Sequence, residues 1–279
     1  MAQISFKDIT VLIVTYKSSQ VLNKCLNGIK KIKKIFVIDN SNDVNLKKKI
    51  KKTHNKVEFF LSKKNLGYAS GNNFLLKKVK TKYALILNPD CIIYNSTLDK
   101  IINFLNSSKK NFGILGTTKE AKIKKKINKN VFSCEYVKGF FMLVNIYAAR
   151  KVNYFDENFF LYLEEIDFCK RLIKKKFDIF ALNNLKFKHI GEGASNDRAE
   201  FLMLRNWHWM WSQFYYYKKY NNYLYSIIKF FPKLFYLFIN QLFSQKKKYK
   251  TRYKGLLASM LNQKSYYRSI NEKNCNFSK

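Results

Sequence analysis

Short apolar runs alternate with amphipathic segments in the first part of the chain. The apolar runs are rich in β-branched and aromatic side chains, as buried strands are. They occupy residues 10–15, 34–39, 57–61, 83–88 and 112–116. Residues 20–30 and 71–80 lie between such runs and carry apolar residues at helical spacing. This alternation predicts an α/β fold with a mainly parallel sheet that helices cover on both faces.

The pattern is less regular after residue 117. Lysine dominates residues 119–130, which we predict to be a surface loop. Strand character returns over residues 134–145, 178–182 and 185–190. Residues 164–176 carry the apolar spacing of a helix.

The composition changes at Phe201. No Asp or Glu lies between Glu200 and Glu272, and aromatic residues crowd positions 201–243. We place the only domain boundary here, with an α/β domain over residues 1–200 and a helical, aromatic-rich region over residues 201–279. Pro232 is expected to break any helix in the second region.

The chain is strongly basic, with 54 Lys plus Arg, 18 Asp plus Glu and a formal net charge of +36. Only six of the basic residues are Arg, whereas proteins that read nucleic acids rely on Arg forks. We therefore expect no nucleic-acid partner, although a basic nucleic-acid-binding protein is the alternative that the charge offers. The scarcity of acids makes each remaining carboxylate conspicuous.

Cysteines and apolar segments indicate the compartment. The five cysteines are scattered and include no CxxC pair, so neither a disulfide framework nor a zinc site is predicted. No apolar signal core precedes Thr10, and no run reaches the ~18 apolar residues that spanning a bilayer requires. These features predict a cytoplasmic protein.

Polar residues follow the predicted strands at the edge where parallel sheets bind ligands. They are Thr15 and Tyr16 after the first run, Asp39 and Asn40 after the second, and residues 88–90 (NPD) after the fourth. A carboxylate at such an edge can bind a ribose or base, or can hold Mg²⁺ or Mn²⁺ against a diphosphate. The alternative is that Asp39 and Asp90 only form turns.

Residues 65–73 (NLGYASGNN) follow the third run, and we predict a loop that leads into a helix. Its glycines permit close backbone approach, and a helix N-terminus attracts phosphate. The alternative is a polar loop that only caps the helix.

Three carboxylates, Glu164, Glu165 and Asp167, stand within four residues. On a helix Asp167 can pair with Arg171, and acids in the first turn also suit the helix dipole. One of the carboxylates could instead be a general base for a hydroxyl nucleophile.

His189 ends a predicted strand before a glycine-rich turn over residues 190–195, where it could ligate a metal, contact phosphate or be structural.

In this order, the motifs resemble the family 2 glycosyltransferases with the GT-A fold, particularly their rhamnosyltransferase-like branch. The similarity covers about residues 8–220. The matching segments are residues 11–16 (VLIVTY), 37–41 (VIDNS), 65–67 (NLG), 88–90 (NPD), 138–139 (KG), 164–167 (EEID) and His189. The resemblance implies a Rossmann-like GT-A domain and inverting transfer of a sugar, with rhamnose as one candidate. The donor would be a nucleotide-diphosphate sugar, and the acceptor a hydroxyl of a lipid-linked or cell-surface glycan.

The resemblance also implies residue roles. Asp39 would bind the nucleobase or ribose, with Thr15 and Tyr16 lining that pocket. Asp90, the last position of the family's DxD motif, would bind Mg²⁺ or Mn²⁺, and His189 would complete the metal or diphosphate site. The other matched positions of the nucleotide-sugar site are Asn40, Asn65, Gly67, Asn88 and Gly139.

Glu165 is the candidate general base under the same resemblance, with Glu164 orienting substrate and Asp167 pairing with Arg171. Two positions depart from the family pattern. Asn88 replaces the first Asp of DxD, which leaves fewer charged metal ligands, and Glu164-Glu165 replaces the commoner Glu-Asp.

The region after Phe201 has two interpretations. Its aromatic residues and basic segment 246–252 suit an anionic membrane surface. We therefore expect peripheral association with the inner face of the cell membrane and a role in cell-wall or polysaccharide biosynthesis. The alternative is a helical subdomain that only packs on the core.

For the function, a nucleotidyltransferase is the competing class of enzyme, since it also combines an α/β sheet, a nucleotide and Mg²⁺.

Overall fold

The computed structural model describes residues 3–107, 111–189 and 198–266. These residues form two compact units. The first unit takes the described residues within 1–65, 70–156 and 165–196. The second takes Leu66–Ala69, Glu157–Glu164 and the described residues from 198 onward.

The first unit is built on a mixed sheet. Its strands are β1 (Ile9–Thr15), β2 (Lys34–Asp39), β3 (Val57–Leu61), β4 (Tyr83–Leu87), β6 (Phe112–Thr117), β7 (Lys122–Lys126), β8 (Val131–Tyr136), β9 (Phe141–Asn145) and β10 (Asp178–Leu182). Two short strands, β5 (Cys91–Ile93) and β11 (Phe187–His189), pair with each other in an antiparallel ribbon.

The strand order in the large sheet is β3-β2-β1-β4-β9-β6-β10-β8-β7. Strands β1 to β4 are mutually parallel, and the pairings give the same direction to every other strand of this sheet except β8 and β9. The mainly parallel sheet expected from the alternating pattern is therefore confirmed.

Helices complete this unit. They are α1 (Ser19–Asn27), α2 (Val44–Thr53), α3 (Gly67–Leu76), α4 (Asn95–Ser107), α5 (Ile146–Lys151) and α6 (Glu164–Lys174), of which α3 and α6 begin with residues of the second unit. Strand β1 is buried at every position except Val14, which requires cover on both faces of the sheet. Helix α1 contributes by burying Val21, Leu22, Cys25 and Leu26 on one side, because their spacing places them on one helical face.

Two predictions for the first unit are wrong in detail. Residues 119–130 are not a simple loop, since they contain β7, whose five residues are all exposed. Strand β7 pairs with β8 at the edge of the sheet, and its lysines protect that edge from pairing with other chains. Helix α3 begins at Gly67, so most of the predicted loop 65–73 is helical.

The second unit contains three long helices, α7 (Arg198–Tyr220), α8 (Tyr223–Phe243) and α9 (Lys247–Met260). Their apolar centre joins Met210 and Phe214 of α7, Leu237 of α8, and Leu256 and Met260 of α9. Helices α7 and α9 approach closely at Gly255, where an added Cβ would collide with the backbone carbonyl oxygen of Trp207. Glycine is therefore required for this helix contact.

Helix α8 continues through Pro232, so the predicted break is wrong. Proline lacks the N–H that would bond to the carbonyl group four residues earlier, which belongs to Ile228. Ile228 and Pro232 are both exposed, so water can satisfy that carbonyl group at little cost.

One side of α8 is apolar and exposed. We call it the outer face of α8, which consists of Leu224, Ile228, Phe231, Phe235, Phe238 and Leu242. These residues recur every three or four positions, so they form one stripe along the helix. Four of them are about 60% exposed, at 59–62%, and Leu224 is 68% exposed. The opposite side packs into the unit through Leu237, Phe230 and Leu234.

None of the helices in the described segments is both long enough and apolar enough to cross a membrane.

Candidate active site

The carboxyl ends of the parallel strands bring the predicted residues to one edge of the sheet. Thr15 pairs in register with Asp39, and Ile13 pairs with Leu87, the residue before Asn88. Strand β9 runs the opposite way and begins at this edge, since its first residue Phe141 pairs with Leu87. The turn between β8 and β9, which includes Gly139, therefore lies beside the end of β4, at the same edge of the sheet as the ends of β1 and β2.

Asp39 is fully buried and organises the loop after β2. Its carboxylate accepts hydrogen bonds from the Ser41 hydroxyl at 2.7 Å and from the Asp43 backbone N–H at 2.8 Å. Asp43 in turn caps α2 by accepting from the Leu46 N–H at 2.8 Å. The carboxylate of Asp39 thus fixes the shape of the predicted nucleotide-binding loop.

The end of β1 is tied to this loop. The Asn40 N–H donates to the Thr15 carbonyl at 2.8 Å, and the Lys17 N–H donates to the Ser41 hydroxyl at 3.2 Å. Thr15 is buried, and its hydroxyl has no hydrogen bond to the described residues. Tyr16 beside it is half-buried. The pair offers one polar and one aromatic group next to Asp39.

Gly71 of α3 lies against the same strand end. A Cβ added there would lie 2.9 Å from the Val14 side chain and 3.6 Å from the Asn40 amide nitrogen. Only glycine lets α3 approach β1 this closely.

Asp90 and His189 form the second cluster. Strand β11 places His189 opposite Cys91 in register, and the His189 Nε2 atom lies 3.5 Å from Asp90 Oδ1. The ring of Phe140 stacks on His189 with 4.5 Å between centroids. Asp90 is buried, and within the described part of the chain its Oδ1 atom takes no hydrogen bond.

The pair can hold a divalent cation only with help. No set of three His, Cys, Asp or Glu side chains in the described ranges could hold a metal ion. Mg²⁺ commonly binds through one or two carboxylates and takes its remaining ligands from water and substrate phosphates, and Mn²⁺ favours similar oxygen ligands. The carboxylate of Asp90, whose Oδ1 atom takes no hydrogen bond from the described residues, and the imidazole of His189 fit a cation that is bound together with a diphosphate.

Glu165 lies in the first turn of α6 and is buried, with its Oε1 atom 3.6 Å from the Nζ atom of Lys138. Burial raises the pKa of the Glu165 carboxyl, and the nearby Lys138 ammonium opposes that rise. A carboxylate with a raised pKa is suited to accept a proton near neutral pH. Lys138 holds the carboxylate in place.

One turn connects these two clusters. The Asn88 N–H donates to the Phe140 carbonyl at 3.0 Å, and Phe140 also stacks on His189. Lys138 stands two residues before Phe140 and reaches Glu165. The β8–β9 turn thus ties Asp90 and His189 to the candidate base.

Asp167 has a different environment. Its Oδ2 atom accepts a hydrogen bond from Arg171 Nε at 2.7 Å, which confirms the predicted pair. Arg171 also donates to the Val152 carbonyl and lies over the Phe168 ring. Asp167 is fully buried, so this carboxylate anchors α6.

The remaining predicted residues divide between the units. Asn65 is half-buried at the end of the β3–α3 connection in the first unit. Gly67 and Glu164 belong to the second unit. Gly67 has a φ of +75°, and an added Cβ would collide with the Phe160 carbonyl. Glu164 is buried. Residues 190–195 of the predicted glycine-rich turn lie outside the described residues.

The sequence did not predict that Ser41, Lys138 and Phe140 contribute to the candidate active site. Ser41 and Lys138 lie in segments that match the family, but the sequence pattern does not indicate which carboxylate each of them contacts. Phe140 could not be identified, because an apolar residue within an apolar run is typical of the hydrophobic core.

The profile of the family described as Glycosyl transferase family 2 matches residues 10–168. The low-salt glycan biosynthesis hexosyltransferase Agl10 of Haloferax volcanii is 24% identical over 204 residues, covering 63% of this chain and 65% of the relative. The match thus spans slightly less than two thirds of that relative. Rhamnosyltransferase WbbL of Escherichia coli K12 is 28% identical over 201 residues, covering 58% of this chain and 75% of WbbL.

Among solved structures, the mannosyltransferase PcManGT from Pyrobaculum calidifontis, in complex with GDP-Man and Mn²⁺, is similar with a TM-score of 0.58. It is 10% identical, and the superposition covers 97% of this chain and 80% of PcManGT. This likeness confirms the GT-A fold. Because the family profile matches more than half of the sequence, the chain belongs to glycosyltransferase family 2.

Proposed function

We propose that this protein transfers a sugar from a nucleotide-diphosphate sugar to a hydroxyl group of a glycan acceptor, with inversion at the anomeric carbon. The observation that carries the proposal is the β8–β9 turn, which joins the Asp90–His189 pair to the buried Glu165–Lys138 pair. One pair suits a diphosphate with its cation, and the other suits proton removal.

The donor would lie along the strand ends. Asp39, Thr15 and Tyr16 would form the nucleoside pocket, with Asn40, Asn65, Gly67, Asn88 and Gly139 around the rest of the donor. The Asp39 carboxylate already accepts hydrogen bonds from the Ser41 hydroxyl and the Asp43 N–H. We therefore propose that Asp39 contributes to nucleoside binding through the loop after β2, which it orders. PcManGT is described with GDP-Man and Mn²⁺, which supports a nucleotide sugar and a divalent cation here.

Asp90 and His189 would hold Mg²⁺ or Mn²⁺, whose charge would stabilise the leaving diphosphate. Glu165 would remove the proton from the acceptor hydroxyl as its oxygen forms a bond to the anomeric carbon. The bond from that carbon to the diphosphate oxygen breaks on the opposite face, and the nucleoside diphosphate leaves. Glu164 would orient substrate, and Asp167 would position α6 through Arg171.

The names of the relatives support a choice of donor sugar and acceptor class. One relative is named a rhamnosyltransferase and the other a hexosyltransferase of glycan biosynthesis. We therefore propose rhamnose as the first donor sugar to test, and a lipid-linked or cell-surface glycan of a polysaccharide pathway as the acceptor.

A lipid-linked acceptor must be met at a membrane, and the outer face of α8 supports such a location. This apolar stripe is exposed along a helix about 30 Å long. Exposed apolar patches of this extent mark interaction surfaces. Lys229 and Lys233 are also exposed on α8, as expected for a helix that lies in the plane of an anionic interface. We propose peripheral association at the inner face of the cell membrane.

The reaction can be tested with the full chain, Mn²⁺, a panel of nucleotide sugars and a glycan-lipid acceptor. Release of nucleoside diphosphate supports sugar transfer, whereas release of pyrophosphate would overturn the proposal in favour of nucleotidyl transfer. The variant Glu165→Gln should lower kcat by 10²-fold or more, which is the scale of general base catalysis. The matched control is Glu58→Gln, because Glu58 is exposed on β3. An equal loss in both variants, or full activity of Glu165→Gln, would refute the role of Glu165.

A further inference from the structure

A cleft in the second unit lies outside the catalytic residues described above. It has a volume of about 440 Å³ and lies between helices α7 and α9. Its principal lining residues are Met203, Leu204 and Trp207 of α7 and Lys247, Lys250 and Lys254 of α9. The volume lies within the range of small-molecule sites.

The α9 wall of the cleft is cationic. The three lysines are spaced three and four residues apart, so their side chains share one face of the helix. All three are exposed, and no ion pair or hydrogen bond of their ammonium groups occurs among the described residues. The sequence also has no Asp or Glu from residue 201 to residue 271. Like charges at this spacing repel one another, so an anion would relieve a repulsion that no described side chain neutralises through an ion pair.

The α7 wall of the cleft is apolar. Met203, Leu204 and Trp207 present a thioether, an aliphatic side chain and an indole ring to the same cavity as the lysines. The walls are connected, because the Thr251 hydroxyl contacts the Met203 sulfur at 3.1 Å and donates to the Lys247 carbonyl at 3.0 Å. A ligand that uses both walls must carry negative charge at one end and hydrocarbon at the other.

We propose that this cleft binds the head of a lipid phosphate. The phosphate would contact Lys250 and Lys254, with Lys247 adding to the positive field. The first carbons of the lipid chain would lie against Leu204 and Trp207. The site goes beyond the proposed sugar transfer and rests on the proposed membrane association only for its biological setting, since binding of a dispersed lipid phosphate needs no bilayer.

The test is isothermal titration calorimetry, which measures the affinity of the full-length protein for farnesyl monophosphate below the critical micelle concentration of that lipid. The double variant Lys250→Glu, Lys254→Glu should weaken binding by at least about tenfold, because two charge-assisted contacts become repulsive. The matched control is Lys48→Glu, Lys52→Glu on α2, which reverses two exposed lysines at the same spacing. The control should change the affinity less than twofold.

Two further probes separate the contributions of the walls. Inorganic phosphate should compete at least tenfold less well than farnesyl monophosphate, and farnesol should bind at least tenfold less tightly. Leu204→Ser should weaken the binding of farnesyl monophosphate but not that of inorganic phosphate. Equal competition by inorganic phosphate, equal binding of farnesol, or equal losses in the two lysine double variants would overturn the proposal.

This outcome is independent of the earlier proposals. Glu165→Gln and substitutions on the outer face of α8 should leave the titration with farnesyl monophosphate unchanged, whatever they do to sugar transfer or vesicle binding. Failure of the cleft would leave those proposals standing, and loss of vesicle binding alone would leave the cleft standing.

Discussion

Removing two aromatic rings from the outer face of α8 should release the protein from anionic vesicles. The perturbation is the double variant Phe231→Ala, Phe235→Ala. Alanine keeps the helical propensity of α8, and both rings are 59% exposed, so their loss leaves no cavity inside the unit. The change therefore affects the surface and not the apolar centre around Leu237.

The size of the effect follows from the exposed area. An aromatic side chain covers roughly 200 Å², so 59% exposure leaves about 120 Å² of each ring in water. At about 25 cal/mol per Å², full transfer out of water stabilises binding by about 3 kcal/mol per ring. An interfacial helix is only partly immersed, so we take half, or about 3 kcal/mol for the pair. Vesicle affinity should fall about 100-fold.

The assay is flotation with vesicles that contain about one fifth anionic lipid, using full-length protein over a range of lipid concentrations. The control is Tyr94→Ala, Tyr147→Ala, which removes two aromatic rings of the first unit that are 52% and 61% exposed. The control should bind like the unmodified chain. A loss below threefold in the α8 variant, or an equal loss in the control, would refute the reasoning. A second pair of results would also refute the reasoning. In that case the unmodified chain does not bind vesicles, and sedimentation shows that it forms a dimer which the α8 variant does not form.

Three more outcomes test the site and the helical unit. Burial raises the pKa of Glu165, and the carboxylate is the active base, so kcat should fall as the pH drops through a value above the ordinary range of Glu. Lys138→Met removes the charge that opposes this rise and should move the acid limb of the kcat profile to higher pH, whereas Lys138→Arg should not. Titration should show weak Mn²⁺ binding alone and tight binding with a nucleoside diphosphate, and Asp90→Asn should weaken the latter at least about tenfold while leaving the melting temperature within a few degrees. Gly255→Ala should lower the free energy of unfolding by about 1–3 kcal/mol in urea, because its methyl group meets the Trp207 carbonyl, and unchanged stability would contradict that contact.

Local patterns predicted the elements of the first unit well where both faces of a strand are buried. The runs at residues 34–39 and 178–182 match β2 and β10, which are buried at every position after the first, because continuous burial demands continuous apolar sequence. The run at residues 57–61 matches β3, although Glu58 is exposed there. The same rule failed for β7, whose five residues are all exposed and whose lysines carry no apolar signal. The expectation that proline breaks a helix failed at Pro232, because α8 is exposed there and the missing hydrogen bond is therefore tolerated.

The sequence alone determined which residues stand at strand ends, that the carboxylates there are few, that residues 201–243 are rich in aromatic side chains, and that residues 201–271 contain no acid. These are properties of local order and composition. Tertiary structure decided the partners. The Lys138–Glu165 contact and the stacking of Phe140 on His189 join segments far apart in the chain. The exposed stripe of α8 likewise depends on which side α7 and α9 cover. The sequence pattern indicates which positions are apolar, whereas the packing of the helices decides which of those positions are buried.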